Sequence, residues 1–141
     1  MTGYLLDTNI VSEIRKGNRA HRRLLAWFQS IEDDELFLSV LVLGEIRGGI
    51  ERISRKDAAQ AQALERWLSD LETNYADRIF PITGAIADRW GRLSAGDPPS
   101  VIDSLMAATA LVNDLTLVTR NTDDVKRTGV NLLNPFEPAK T

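Results

Sequence analysis

The strongest constraint on the fold of this chain is an alternation that runs its whole length. Short apolar runs, each of a few residues, are separated by longer segments whose apolar side chains recur at helical spacing. The runs predict strands over 4–7, 36–40, 79–82, 115–120 and 130–133. Between them the spacing predicts helices over 8–15, 18–30, 41–53, 56–74 and 84–94, and one that starts after Ser100. Pro81 cannot donate to a ladder and places the third strand at an edge. Strands separated by helices imply a mainly parallel sheet covered on both faces, a three-layer α/β/α arrangement. No linker, repeat or low-complexity tract divides the sequence, so residues 1–141 are read as a single domain.

Composition narrows the chemistry available to such a sheet. The chain has no Cys and one His, His21, which excludes disulfides, thiolate-bound metals and histidine-rich sites. No apolar stretch reaches the roughly 18 residues of a membrane span. The N-terminus lacks a secretory pattern, so the expected location is the cytoplasm. The net charge is -3. A protein that gains its affinity by neutralising phosphates is normally basic. Contact with nucleic acid would therefore need a local basic patch or metal ions.

In open α/β sheets ligands bind beyond the carboxyl ends of the strands, and acids recur at those junctions. Asp7 ends the first predicted strand. Glu45 follows the second by one helical turn, and Asp103 is the lone charge between Ser100 and Val112. Asn121, Asp123 and Asp124 follow the fourth strand in a turn. Each has a structural reading as well. Asp7, Thr8 or Asn9 suits an N-cap. Asp103 with Ser100 resembles a capping box. Glu45 suits a solvated face beside Arg52, and Asp123 and Asp124 are ordinary turn residues. Taken together, three carboxylates gathered at one sheet edge repel each other unless a cation lies among them. All-oxygen ligands select Mg²⁺ or Mn²⁺, and such an ion polarises phosphoryl oxygens and activates water. The pattern points to metal-assisted phosphodiester hydrolysis.

Four stretches then carry a resemblance: "LLDTNIVSEI" (5–14), "LSVLVLGEIRGGI" (38–50), "VIDSLMAATALVNDLTLVTRN" (101–121) and "GVNLLNPF" (129–136). In this order and spacing the chain resembles the PIN-domain family, particularly the VapC- and FitB-like toxins of type II toxin–antitoxin pairs. The resemblance implies an Mg²⁺- or Mn²⁺-dependent endoribonuclease. Asp7, Glu45 and Asp103 would hold the metal, with Asp7 and Asp103 as its direct ligands. Thr8 and Asn9 match the polar pair that orients the first acid. Thr119 and Arg120 match the strand end that precedes a fourth acid in many members. Here Asn121 occupies that place, with Asp123 or Asp124 as alternatives. The resemblance further implies an RNA substrate, a homodimer, and a VapB-like antitoxin whose tail fills an apolar groove beside the acids.

Two rivals are weighed against this reading. A catalytically silent PIN-like binding module would tolerate Asn121. An aspartyl-nucleophile phosphatase needs a second Asp where the chain has Asn9. Among other residues, the bases Arg15, Lys16, Arg19, Arg22 and Arg23 suit either RNA phosphates or a solvated helix face. His21 is read as a surface residue. Gly48-Gly49 lies inside a predicted helix, near the Glu45 face, where it would admit a close backbone approach or a helix crossing. Trp27, Trp67 and Trp90 are read as core or groove residues.

Overall fold

The computed structural model describes residues 3–138. Among these, five parallel strands form one sheet in the order β3-β2-β1-β4-β5. They are β1 (Tyr4–Leu6), β2 (Leu36–Ser39), β3 (Ile79–Phe80), β4 (Thr116–Val118) and β5 (Leu132–Leu133). The helices are α1 (Thr8–Ile14), α2 (Arg22–Gln29), α3 (Val40–Ser54), α4 (Ala58–Asn74), α5 (Gly84–Leu93), α6 (Val101–Val112) and α7 (Thr122–Val125).

A parallel sheet buried on both faces needs strands that are apolar at successive positions. Leu5 and Leu6, and Leu117 and Val118, are at most 1% exposed. Ile10, Leu24 and Val42 pack in the same core as Met106 and Ala107, so both helical layers close on the sheet. The strand order steps from β1 to β2 to β3, then returns to the far side of β1 for β4 and β5. With right-handed crossovers, that reversal puts α1 to α4 on one face and α5 to α7 on the other. The packing agrees: α3 contacts α4 and α1, whereas α6 contacts α5 and α7. The reversal between β1 and β4 is a topological switch point, where a crevice opens beyond the strand ends.

The expected elements are present, with differences that have local causes. The strands are shorter than their apolar runs, because Asp7 and Val40 already belong to helix starts. β3 is an outer strand and stops before Pro81, as that residue requires. The helix expected over 18–30 divides into a 3-10 turn (Gly17–Arg19) and α2. His21 causes the break, since its Nδ1 accepts the Arg23 N–H at 3.2 Å and caps α2. It is half-buried and edge-on to Phe136, so it is a cap rather than a bystander on the surface. The turn expected at 121–124 is the short helix α7 with a 3-10 turn after it (Lys126–Thr128). Gly129 ends that turn at φ 79°, in the left-handed region that glycine enters without steric cost.

Trp27 packs edge-on against Tyr4 at 5.3 Å, and Trp67 lies under the Arg15 guanidinium. Trp90 is half-buried on α5. A Cβ added at Gly48 or Gly49 would meet only the Arg52 guanidinium within 4 Å. Among the described residues no other helix comes within 4 Å of such a Cβ. Among the described residues no helix is long and apolar enough to cross a membrane.

Candidate active site

Asp7 lies at the switch point. Its backbone N–H donates to Val118 O at 2.9 Å, which continues the β1–β4 ladder one residue beyond the strand. Its carbonyl accepts from Ile10 and Val11, opening α1. The residue is thus fixed between a strand and a helix, and its side chain caps that helix by accepting the Thr8 N–H at 2.8 Å. The other carboxylate oxygen, Oδ2, accepts the Thr119 hydroxyl at 2.8 Å and Asn9 Nδ2 at 3.4 Å. Thr119 follows β4 directly and is 1% exposed. Its Oγ1 also accepts from Asn9 Nδ2 and from the Asn121 N–H.

Asp7 is 9% exposed, and burial pushes its carboxyl above the ordinary value. The Thr119 and Thr8 hydrogen bonds pull it down, while the charges of Asp103 and Glu45 push it further up. Both partners therefore lie within electrostatic reach of Asp7. Glu45 comes from the second turn of α3; it is exposed and accepts the Thr8 hydroxyl at 2.6 Å. Asp103 comes from the first turn of α6 and is half-buried. Its backbone N–H donates to Ser100 Oγ at 3.3 Å, the Ser100 half of the expected capping box. Acids from opposite layers thus flank one carboxylate at the end of the central strand.

Asn121 sits at the N-cap of α7, exposed, and its side chain makes no cap bond. The backbone ties it to the site, through its N–H to Thr119 at 3.1 Å. Asp123 pairs with Lys126 at 3.4 Å, and Asp124 is exposed in the first turn of α7. The carboxylates that act on Asp7 are Asp103 and Glu45.

Among the described residues no three His, Cys, Asp or Glu side chains are close enough to form a ready ligand cluster. The donor chemistry nevertheless suits a hard dication. It is all oxygen, drawn from three elements, and centred on a carboxylate that burial, with the charges of Asp103 and Glu45 added, drives toward protonation. An ion there would relieve that repulsion.

The orienting role expected of Thr8 and Asn9 is shared with Thr119 in the structure. The Thr8 N–H and Asn9 Nδ2 donate to Asp7 together with the Thr119 hydroxyl, and the Thr8 hydroxyl serves Glu45. Asn9 links the two strand ends by accepting the Arg120 N–H at 3.2 Å. Asn134 was not anticipated from sequence; its Nδ2 donates to Arg120 O at 3.3 Å and joins the end of β5 to the same network. A polar residue just past the last strand was the only signal for it.

A groove of about 900 Å³ lies beside this edge, lined by Trp27, Leu132, Leu133 and Pro135 with Lys126 and Asp123. Asp7, Glu45 and Asp103 do not line it.

Known proteins share the sequence pattern and the fold. The plasmid stability protein StbB of Pseudomonas syringae pv. tomato is 30% identical, with 94% of this chain and 98% of that protein covered. The VapC ribonuclease Y4jK of Sinorhizobium fredii is 28% identical, with 96% and 99% covered. Among solved structures, FitAcB from Neisseria gonorrhoeae superposes with a TM-score of 0.85 at 26% identity, covering 96% of this chain and 99% of that one. The family model for the PIN domain matches residues 4–131. The chain belongs to the PIN domain family.

Proposed function

We propose that this protein is a divalent-metal-dependent endoribonuclease and the toxin of a type II toxin–antitoxin pair. One observation carries the reading: a buried carboxylate, Asp7, at the β1–β4 switch point with Asp103 and Glu45 acting on it from the two helical layers. The relative named VapC ribonuclease supports the substrate class.

Asp7 and Asp103 hold the ion, Mg²⁺ or Mn²⁺, with Glu45 completing the acidic set. When bound, the ion supplies Lewis-acid polarisation of a phosphoryl oxygen and a water of lowered pKa. The chain's own part is positional. Thr119 and the Thr8 N–H fix the Asp7 carboxylate so that it pays no reorganisation on binding. Glu45 stands exposed at the rim, where a carboxylate orients an attacking water. Asn121 offers a neutral carbonyl at the place of a fourth acid, which lowers the charge of the site. The partners are an RNA strand, a VapB-like antitoxin in the neighbouring apolar groove, and a second copy of the chain. The setting is cytoplasmic, and residues 1–141 act as one domain.

The test is incubation of antitoxin-free protein with total RNA, with and without EDTA. Cleavage that EDTA abolishes is expected. A silent PIN-like binding module is the second reading, favoured by Asn121 and by the lack of a ready three-acid cluster. Absence of chelator-sensitive cutting would establish that module instead.

A further inference from the structure

We propose that Arg120 binds a backbone phosphate beside the scissile one and so sets the register of the RNA; this rests on the ribonuclease reading above. Arg120 is the residue after Thr119, so its Cα lies about 3.8 Å from that of the residue whose hydroxyl holds Asp7. Its backbone is held from both sides, by Asn9 Oδ1 at 3.2 Å and by Asn134 Nδ2 at 3.3 Å. Its guanidinium stacks over the Phe136 ring, 4.1 Å from the centroid. Phe136 is itself anchored: it is 8% exposed, its N–H donates to Asn134 Oδ1 at 3.0 Å, and the His21 ring packs edge-on at 5.2 Å.

A guanidinium held over an aromatic face keeps N–H donors available, and its fork matches a phosphate gripped by two oxygens. No ion pair among the described residues uses Arg120. Glu13 feels its charge, but that carboxylate is bonded to Lys16 and to the His21 N–H. Of the other two arginines over aromatic rings, Arg15 on Trp67 lies at the far end of α1 from Asp7, and Arg78 on Tyr75 spends its donors on the Asp33, Leu36 and Asn74 carbonyls. An acidic pocket in a chain of net charge -3 repels a polyanion. A cation on the residue that follows Thr119, held over Phe136, attracts the strand whether or not metal is present.

The experiment measures kcat and KM against salt concentration with Mn²⁺, on a single-stranded RNA oligonucleotide that the wild type cleaves. Arg120→Gln should raise KM about tenfold with kcat nearly unchanged. It should also make the slope of log(kcat/KM) against log[salt] shallower by about 0.7, the loss of one single-strand phosphate contact. Arg120→Lys should restore the slope, because it keeps the charge. Arg66→Gln on α4 removes the same charge elsewhere and should change neither quantity. Equal slopes for Arg120→Gln and wild type would overturn the proposal and leave the stacked guanidinium to a protein partner. So would a loss confined to kcat. A wild type that cleaves no RNA would instead overturn the ribonuclease reading itself.

Discussion

Replacing Thr119 by Val tests whether the β1–β4 junction organises the site. The side chains have nearly the same shape, so the change removes a hydroxyl without opening a large cavity. In the wild type that hydroxyl donates to Asp7 Oδ2 at 2.8 Å and accepts the Asn121 N–H at 3.1 Å. A hydrogen bond to a charged group contributes about 1.5–3 kcal/mol, and here the abandoned oxygen is buried. Asn9 Nδ2, at 3.4 Å from Asp7, recovers only a little of it. A net loss of about 2–3 kcal/mol follows. For 141 residues, an unfolding entropy of about 2.1 cal/mol/K per residue gives roughly 0.3 kcal/mol/K, so the melting temperature should fall by about 7–10 °C. The Asp7 carboxyl should also move further up, since the Thr119 bond holds it down. Thermal unfolding by circular dichroism reads the first effect, and RNA cleavage, expected to drop, reads the second. Thr119→Ser keeps the hydroxyl and should recover activity. A Val variant that melts within about 2 °C of wild type and cleaves at its rate would refute the argument.

The remaining predictions concern the acids directly. Asp7→Asn and Asp103→Asn should abolish cleavage while leaving the protein folded, because each removes mutual repulsion; wild-type turnover in either would show that the site is misassigned. The raised Asp7 carboxyl makes the native state bind its proton more tightly than the unfolded chain does. Its contribution therefore favours folding as pH drops from the elevated value toward 3.8, and Asp7→Asn should lack that component in a comparison of melting temperature against pH. Mn²⁺ should raise the melting temperature of wild type more than that of Asp103→Asn. Equal shifts would mean general ion effects.

Much of this fold was written in periodicity. Runs such as Leu36-Phe37-Leu38 read as buried strands because a parallel sheet is covered on both faces, and Pro81 marked an edge for a backbone reason. Boundaries were less legible where one side chain does two jobs. Asp7 extends a ladder and caps a helix, and His21 caps α2 while its backbone N–H ties it to Glu13. Among the acids, the positions of Asp7, Glu45 and Asp103 along the chain pointed to one sheet edge. Their spacing in space depends on side-chain rotamers and on how two layers dock, which no linear pattern contains. The same limit hid Thr119 as the holder of Asp7, since the two are 112 positions apart and meet only through strand order.

That strand order also governs when the candidate site can be assembled. The first strand finds its partner on one side early, but its other neighbour is translated more than a hundred residues later. A nascent chain therefore emerges from the ribosome with its key carboxylate unsupported and Asp103, one of its three acids, still unmade. Long-range pairing of this kind is slow to form. The site is thus completed only after α6 and β4 have been made and have docked against β1.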